Sequence, residues 1–205
     1  MTSSIAVAVI GTGIIGRTLA ARFAEAGHTV VIGTRDPGRA EVAELAQQTG
    51  ARLASIEDAI DASDAVVWAI NGAAMAEAVP AHGPRLGGKV VIDATNSVGA
   101  AVMNSLELLG AHAPDARLYR AFNSLGWENF ADPHYGDIVG DLLYCGPAGA
   151  GAEVAESLIQ ATGLRPIRVG DTDAVGIVDS MAYLWFALAF GQGMGRGVGF
   201  KILTR

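Results

Sequence analysis

A single cysteine, Cys145, leaves the chain without an internal disulfide framework. It closes the apolar stretch Leu142-Leu143-Tyr144-Cys145 and reads as a buried strand residue, not a redox centre. Histidines are few and scattered. His28, His82, His112 and His134 show no metal-ligand spacing, so no metal site is expected. Basic charge is scarce, with 14 Lys and Arg against 21 Asp and Glu, and the net charge of −7 argues against a general nucleic-acid binder. Met1-Thr2-Ser3-Ser4 carries no basic signal-peptide region. The longest apolar run, 181–190, falls short of the ~20 residues that span a bilayer. The expectation is a soluble, cytoplasmic protein with no membrane or nucleic-acid partner. No Gly-x-Ser-x-Gly elbow is present. Lys89 begins a strand and Lys201 lies near the terminus, so no mid-chain lysine stands ready as a general acid. Hydrophobic residues make up 51% and charged residues 17%, which suits one folded domain, or one with a small appendage.

Glycine, by contrast, is abundant at 27 residues, and six positions near the start organise the rest. Gly11-Thr12-Gly13-Ile14-Ile15-Gly16 follows the apolar run 5–10 and opens a helical run to about residue 25. Gly11 permits a tight turn, Gly13 lets backbone approach a pyrophosphate, and Gly16 lets the helix pack on the strand. The exposed N–H groups at the helix start and the positive end of the helix dipole then hold the phosphates.

Gly27 ends that helix, and residues 29–32 form a second strand. The tip of this strand selects the dinucleotide. A carboxylate there would bond the ribose 2′-hydroxyl of NAD. The strand instead ends Gly33-Thr34-Arg35, a hydroxyl and a guanidinium that suit the 2′-phosphate of NADP. Asp36 is expected to cap the next helix, with Pro37 at its first position and Arg39 on its first turn, where it also reaches the phosphate. Otherwise Arg35 and Arg39 are solvated surface charges.

Further strands are expected at 52–54, 65–70, 89–93 and 117–121. Between them lie helices at 41–48, from Ser55 as N-cap, at 73–85 with a proline inside, and at 101–109. Ligands in such sheets sit beyond the carboxyl ends of the strands. Ala69 and Ile70 close the fourth strand and Asn71 follows it, Ala94 and Asn96 follow the fifth, and Asn123 the sixth. Asp93 is either a functional group or a buried hydrogen-bonder holding its loop. The pattern predicts an α/β, Rossmann-type doubly wound parallel sheet of order 3-2-1-4-5-6 over residues 1–124. Residues 125–205 then form a small C-terminal α/β lobe: a short helix at 126–130, a strand at 141–145, a helix at 152–161, a strand at 165–169 and a long helix at 173–190. The last ten residues of that long helix are apolar on every side and are expected to be buried against the sheet or a second subunit. The closing glycines 191–199 are either a flexible tail or backbone laid against a ligand.

A dehydrogenase of alcohols or ketones needs a proton donor beside the carbonyl oxygen, and none is evident. Hydride transfer between two cofactors needs only two stacked rings in a dry site. Here the sequence resembles the NADPH-dependent reductases of the deazaflavin coenzyme F420. The resemblance rests on the glycine hexapeptide, on Val31-Ile32-Gly33-Thr34-Arg35, and on Gly191-Gln192-Gly193-Met194-Gly195 with Phe200-Lys201-Ile202-Leu203. It implies NADP(H) as one cofactor, F420 as the acceptor, a small lobe over the cleft, and a homodimer. By position it assigns Thr12 to Gly16 to the pyrophosphate and Thr34, Arg35 and Arg39 to the 2′-phosphate. Ile70, Asn71 and Asn96 would flank the nicotinamide, and Met194 and Val198 would face the deazaflavin. One departure stands out. Archaeal members resemble Ala-Leu-His-Thr after the sixth strand, where this chain has Ala121-Phe122-Asn123-Ser124. The Ala-Phe-Asn version is similar to the reductase domain of membrane ferric reductases, which use a flavin. Asn123 is thereby a candidate orienting residue, bonded to the nicotinamide carboxamide or to the acceptor ring. The alternatives are an NADPH-dependent reductase of FMN, FAD or another small acceptor, and a non-catalytic NADP-binding sensor.

Overall fold

The computed structural model describes residues 4–205, with the side chains of 40–43 excepted. Six parallel strands carry the fold: β1 (Ala6–Ile10), β2 (Thr29–Gly33), β3 (Arg52–Ala54), β4 (Ala65–Trp68), β5 (Val90–Asp93) and β6 (Arg117–Arg120). Their order is β3-β2-β1-β4-β5-β6, as the sequence predicts. The strand β1 is apolar without alternation because both sheet faces are covered. Val7 and Val9 join one hydrophobic cluster, while Ala8 and Ile10 join a second on the opposite face.

The covering helices are α1 (Ile14–Glu25), α2 (Ala40–Thr49), α3 (Ile56–Asp61), α4 (Met75–His82) and α5 (Leu106–His112). Gly27, at φ 88°, ends α1, and the His28 N–H donates back to the Phe23 carbonyl at 3.0 Å. His28 is structural, its Nδ1 accepting the Ile5 N–H at 3.2 Å. Ser55 caps α3 by accepting the Asp58 N–H at 3.0 Å.

Two helix starts differ from expectation. Pro37 and Gly38 lie in a turn, and α2 begins at Ala40. Asp36 closes that turn by accepting the Gly38 N–H at 3.1 Å, so it is not a helix cap. Arg39 is accordingly the N-cap residue in extended backbone, not a first-turn residue. Residues 101–105 also lie outside the helix, which starts at Leu106, because the Ser105 N–H is drawn to Asp93 Oδ2 at 2.7 Å.

Beyond the sheet follow α6 (Trp127–Ala131), the hairpin β7 (His134–Tyr135) and β8 (Ile138–Val139), then β9 (Asp141–Tyr144), α7 (Ala150–Ala161), β10 (Arg165–Arg168) and α8 (Val175–Phe186). The strands β9 and β10 pair in parallel, and Cys145 bridges antiparallel to Arg120, so this unit abuts the edge of the main sheet. Cys145 is fully buried, and burial pushes its thiol up to about 11, as suits a packing residue. Phe23, Phe122, Phe130, Tyr144, Leu158 and Trp185 share one hydrophobic cluster, which joins sheet and C-terminal elements.

Within the single chain the last helix is covered along one stripe only. Val178, Asp179, Ala182, Trp185 and Ala189 are buried, whereas Ile177, Tyr183, Leu184 and Phe190 are exposed. By length and hydropathy alone the helical stretch 172–191 would reach across a bilayer, but its Asp179 is buried in an ion pair with Arg120 of the sheet.

The glycine-rich segment after it is tied to the body of the chain, so it is not a free tail. Trp185 Nε1 donates to the Val198 carbonyl at 2.8 Å, and Asn129 Nδ2 to the Arg196 carbonyl at 3.1 Å. Asp141, fully buried, fastens the terminus: it accepts from Arg165 at 2.7 and 2.8 Å, from Lys201 Nζ at 3.0 Å and from the Ile202 N–H at 2.6 Å. Burial alone would raise its carboxyl, but these donors outweigh it and hold the carboxyl at about 2, against an ordinary 3.8. A depressed folded-state value stabilises above the unfolded one and is lost as pH falls through the folded one. Asp141 should therefore contribute about 2 kcal/mol at neutral pH that disappears between roughly pH 5 and pH 1. Urea unfolding of Asp141→Asn should show that deficit at pH 7 and little of it at pH 2. An equal deficit at both would remove the electrostatic account.

Candidate functional site: a dinucleotide cleft

The glycine turn behaves as its spacing requires. A Cβ on Gly11, at φ 127°, would lie 2.5 Å from the Ala69 carbonyl oxygen, and one on Gly16 would lie 2.2 Å from the Gly11 carbonyl oxygen. Those two glycines bring β1, β4 and α1 together. Gly13 is different, since a Cβ there would meet nothing within 4 Å. The space over Gly13 is open, as backbone that faces a pyrophosphate must be. Gly13 is also the N-cap of α1, with no side chain capping it and no acidic residue in the first turn. The N–H groups of Ile14, Ile15 and Gly16 are thus the unfilled donors of a twelve-residue helix, aimed where an anion would sit.

In front of this turn lies a cleft of about 700 Å³. It is lined by Gly11, Thr12 and Gly13 of the glycine turn, by Thr34, Arg35 and Arg39 after β2, and by Ala69, Ile70 and Asn71 after β4. Nine of the sequence-predicted residues therefore meet in one cavity. Ile14, Ile15 and Gly16 stand behind it on the first turn of α1. Arg35 is exposed and makes no hydrogen bond or ion pair among the described residues. Asn71 Oδ1 accepts the Ala73 N–H at 2.9 Å, which fixes its side chain at the start of a short 3-10 turn. Sequence reasoning did not find Asp36, Ile56, Glu77 and His82, which also line the cavity. Asp36 was visible as a polar residue beside the strand tip, but a turn and a helix cap use the same side-chain chemistry.

The other five predicted residues do not line this cavity. Ala94 is buried, Met194 is exposed, and Val198 packs on the core beside Trp185. Asn96 and Asn123 belong to a buried polar network whose centre, Arg120, was read from sequence only as a strand residue. Arg120 is fully buried and pairs in register with Asp93 of the neighbouring strand. Its Nε donates to Asp179 Oδ1 at 2.9 Å, and its Nη2 to Asn96 Oδ1 at 2.9 Å. Its Nη1 donates to the carbonyls of Asp93 and Thr95 and stands 3.1 Å from Asp93 Oδ2. Asp93 Oδ1 also accepts from the Thr95 N–H and hydroxyl at 2.9 and 2.6 Å, so it is the loop-holding residue of the two alternatives. Asn123 is buried, donating Nδ2 to Asp179 Oδ1 at 3.3 Å, while its backbone carbonyl accepts from Asn96 Nδ2 at 2.8 Å. Between Arg120 and Asn123 sits Phe122 at φ 63°, a left-handed conformation that costs a non-glycine residue about 1–3 kcal/mol. Its ring is held edge-on to Phe130 at 5.7 Å and against Phe23 at 6.0 Å, which sustains that strain.

A parallel sheet of this order, with a glycine turn between its first strand and first helix, is a Rossmann-type dinucleotide-binding fold, and that is the class of this chain. Residues 6–97 match the family model described as NADP oxidoreductase, coenzyme F420-dependent, so the resemblance read from the sequence holds across the nucleotide-binding half. Among solved structures, a protein of Arthrobacter sp. FB24, described as a candidate F420-dependent NADP reductase, is 26% identical with a TM-score of 0.83; the match covers 98% of this chain and all of that one. A glycerol-3-phosphate dehydrogenase [NAD(P)+] of Pseudomonas fluorescens (strain Pf0-1) is 28% identical over 131 residues, 58% of this chain and 37% of that protein. Metalloreductase STEAP3 of Rattus norvegicus is 24% identical over 182 residues, 85% of this chain and 36% of that protein. The chain thus spans little more than a third of the length of the curated relatives it matches.

Proposed function

We propose that this chain uses NADPH to pass hydride to the deazaflavin coenzyme F420. The observation that carries this reading is the kind of side chain at the strand tips. The tip of β2 offers Thr34 and Arg35, with Arg39 lining the same cleft, a set suited to a 2′-phosphate. Past β4, β5 and β6 stand Asn71, Asn96 and Asn123, while the nearby Asp93 is committed to Arg120. Neither histidine nor lysine lies at those three tips. A substrate carbonyl would lack its proton donor there, whereas two stacked rings need only close approach and the exclusion of water. When bound, the nicotinamide supplies the hydride, the acceptor ring takes it, and solvent supplies the proton that completes the reduced ring. The chain's own part is to hold phosphates on the α1 N–H groups, select the 2′-phosphate, and orient the ring. The family match over residues 6–97 and the Arthrobacter structure support the deazaflavin as acceptor.

A second reading is reduction of a flavin or another small acceptor. It draws support from the similarity to the rat metalloreductase, which extends over 85% of this chain. The test is to follow NADPH oxidation by the purified protein with F420 and, separately, with FMN. Turnover with F420 alone supports the first reading and turnover with FMN alone the second. NADPH binding without turnover by either acceptor would leave a sensor. In the same assay Arg35→Ala should raise the NADPH KM by about 10- to 100-fold, the worth of a charge-assisted hydrogen bond, and leave NADH nearly unchanged. Equal effects on both nucleotides would remove Arg35 from 2′-phosphate recognition.

A further inference from the structure

We infer that Asn123 offers its side-chain oxygen to the amide N–H of the nicotinamide carboxamide, and that Asp179 on α8 is the positioning residue that turns the oxygen that way. The inference rests on the proposed binding of NADPH. The two ends of an asparagine amide are nearly isosteric, so their orientation is decided by their partners. Asp179 Oδ1 already receives the Arg120 guanidinium, and its second oxygen receives Asn104 Nδ2 at 2.7 Å. As a carboxylate oxygen it can only accept. The end of Asn123 that faces it is therefore Nδ2, the donor, at 3.3 Å.

The opposite end follows from this. Asn123 Oδ1 is buried and has no hydrogen-bond partner among the described residues. Every other polar group of the Arg120 network named above has one. A buried carbonyl oxygen without a donor is costly, and it gains most from a ligand that brings an N–H. The carboxamide is the N–H donor at the nicotinamide end of a dinucleotide, and that end lies past the tips of β4, β5 and β6 in a sheet of this order. The backbone around Asn123 has little freedom to re-aim. Its carbonyl is tied to Asn96, and Phe122 before it is held in the left-handed region by two aromatic neighbours. What remains to be chosen is the polarity of the amide, and Asp179 chooses it. The oxygen is covered in the free protein, so this contact requires neighbouring side chains to part when the nicotinamide binds.

The experiment compares binding of NADPH with binding of its reduced 3-acetylpyridine analogue by isothermal titration. The analogue keeps the ring carbonyl but carries a methyl group in place of the amide nitrogen. The wild-type protein should bind NADPH about tenfold tighter or more. Asn123→Ala, which leaves Asp179 with Arg120 and Asn104, should bring NADPH down to the affinity of the analogue. Asp179→Asn frees the Asn123 amide to turn over, so the preference should fall toward unity even if both affinities drop. A purely structural Asp179 would weaken both nucleotides by one factor and keep the ratio. If Asp179→Asn fails to fold, Asn123→Ala alone decides. Equal affinity in the wild type, or an unchanged preference in Asn123→Ala, overturns the inference while leaving the NADPH reading intact. Failure of the wild type to bind NADPH overturns both.

Discussion

Replacing Arg120 with methionine is expected to destabilise the protein by about 3–5 kcal/mol, because it leaves two buried carboxylates without their countercharge. For a chain of this size that corresponds to a fall in Tm of roughly 6–20 °C. Arg120 is fully buried, and its guanidinium serves acceptors on four other residues: Asp93, Thr95, Asn96 and Asp179. Methionine fills much of the volume and supplies no donor. Arg120→Lys should rescue little. An ammonium group keeps the charge but cannot spread donors over a plane to reach Asp179 on one side and the β5 tip on the other. Urea denaturation with a common m-value is the measurement. A loss below 1 kcal/mol for Arg120→Met would mean that the network contributes little net stability. The position also matters for the site, since Arg120 joins the tips of β5 and β6 to α8 through Asp93 and Asp179. A variant that folds should therefore bind the nicotinamide end less well than the adenosine end.

The second large effect separates two glycines of the same turn, Gly13 and Gly16. Gly13→Ala should leave the Tm unchanged and weaken NADPH and NADH alike by more than tenfold. Its backbone is extended, at φ −69° and ψ 176°, which alanine adopts without strain, and beyond its chain neighbours the added carbon meets none of the described residues within 4 Å. The carbon instead enters the space over which a pyrophosphate must pass and blocks charge-assisted bonds to the α1 N–H groups. Gly16→Ala should do the reverse in order of cause. Its Cβ would lie 2.2 Å from the Gly11 carbonyl oxygen, so the turn must move before any ligand arrives. Alanine gains about 1 kcal/mol in helix propensity, but an overlap of this kind costs about 1–3 kcal/mol or more. The outcome is a lowered Tm together with lost nucleotide binding. Thermal melts and nucleotide titrations on the two variants distinguish the cases. Gly13→Ala binding NADPH like the wild type would show that the phosphates do not cross Gly13. Taken with Arg35→Ala, which should affect NADPH alone, the three variants divide the cleft into packing, pyrophosphate and 2′-phosphate functions.

Residues close in sequence were legible without coordinates. The cap Ser55 acts through Asp58, three positions on, the spacing of Gly11, Gly13 and Gly16 marks the turn from strand to helix, and unbroken apolar strands such as β4 declare burial on both faces. Strand order followed too, because parallel strands joined by helices have few ways to be connected. Local chemistry was ambiguous where one side chain serves two motifs. Asp36 before Pro37 suits a helix cap as well as a turn, and the backbone of Gly38 settled it as a turn. What only the tertiary structure decided depends on charges and faces far apart in the chain. Arg120 and Asp179 are separated by 59 positions, Asn123 and Asp179 by 56. No periodicity links them, and they meet because the sheet sets Arg120 beside Asp93 while α8 returns across the strand tips. The apolar sequence of α8 likewise could not say which stripe would be covered, since a helix uniformly apolar in composition is given its inward face by packing alone.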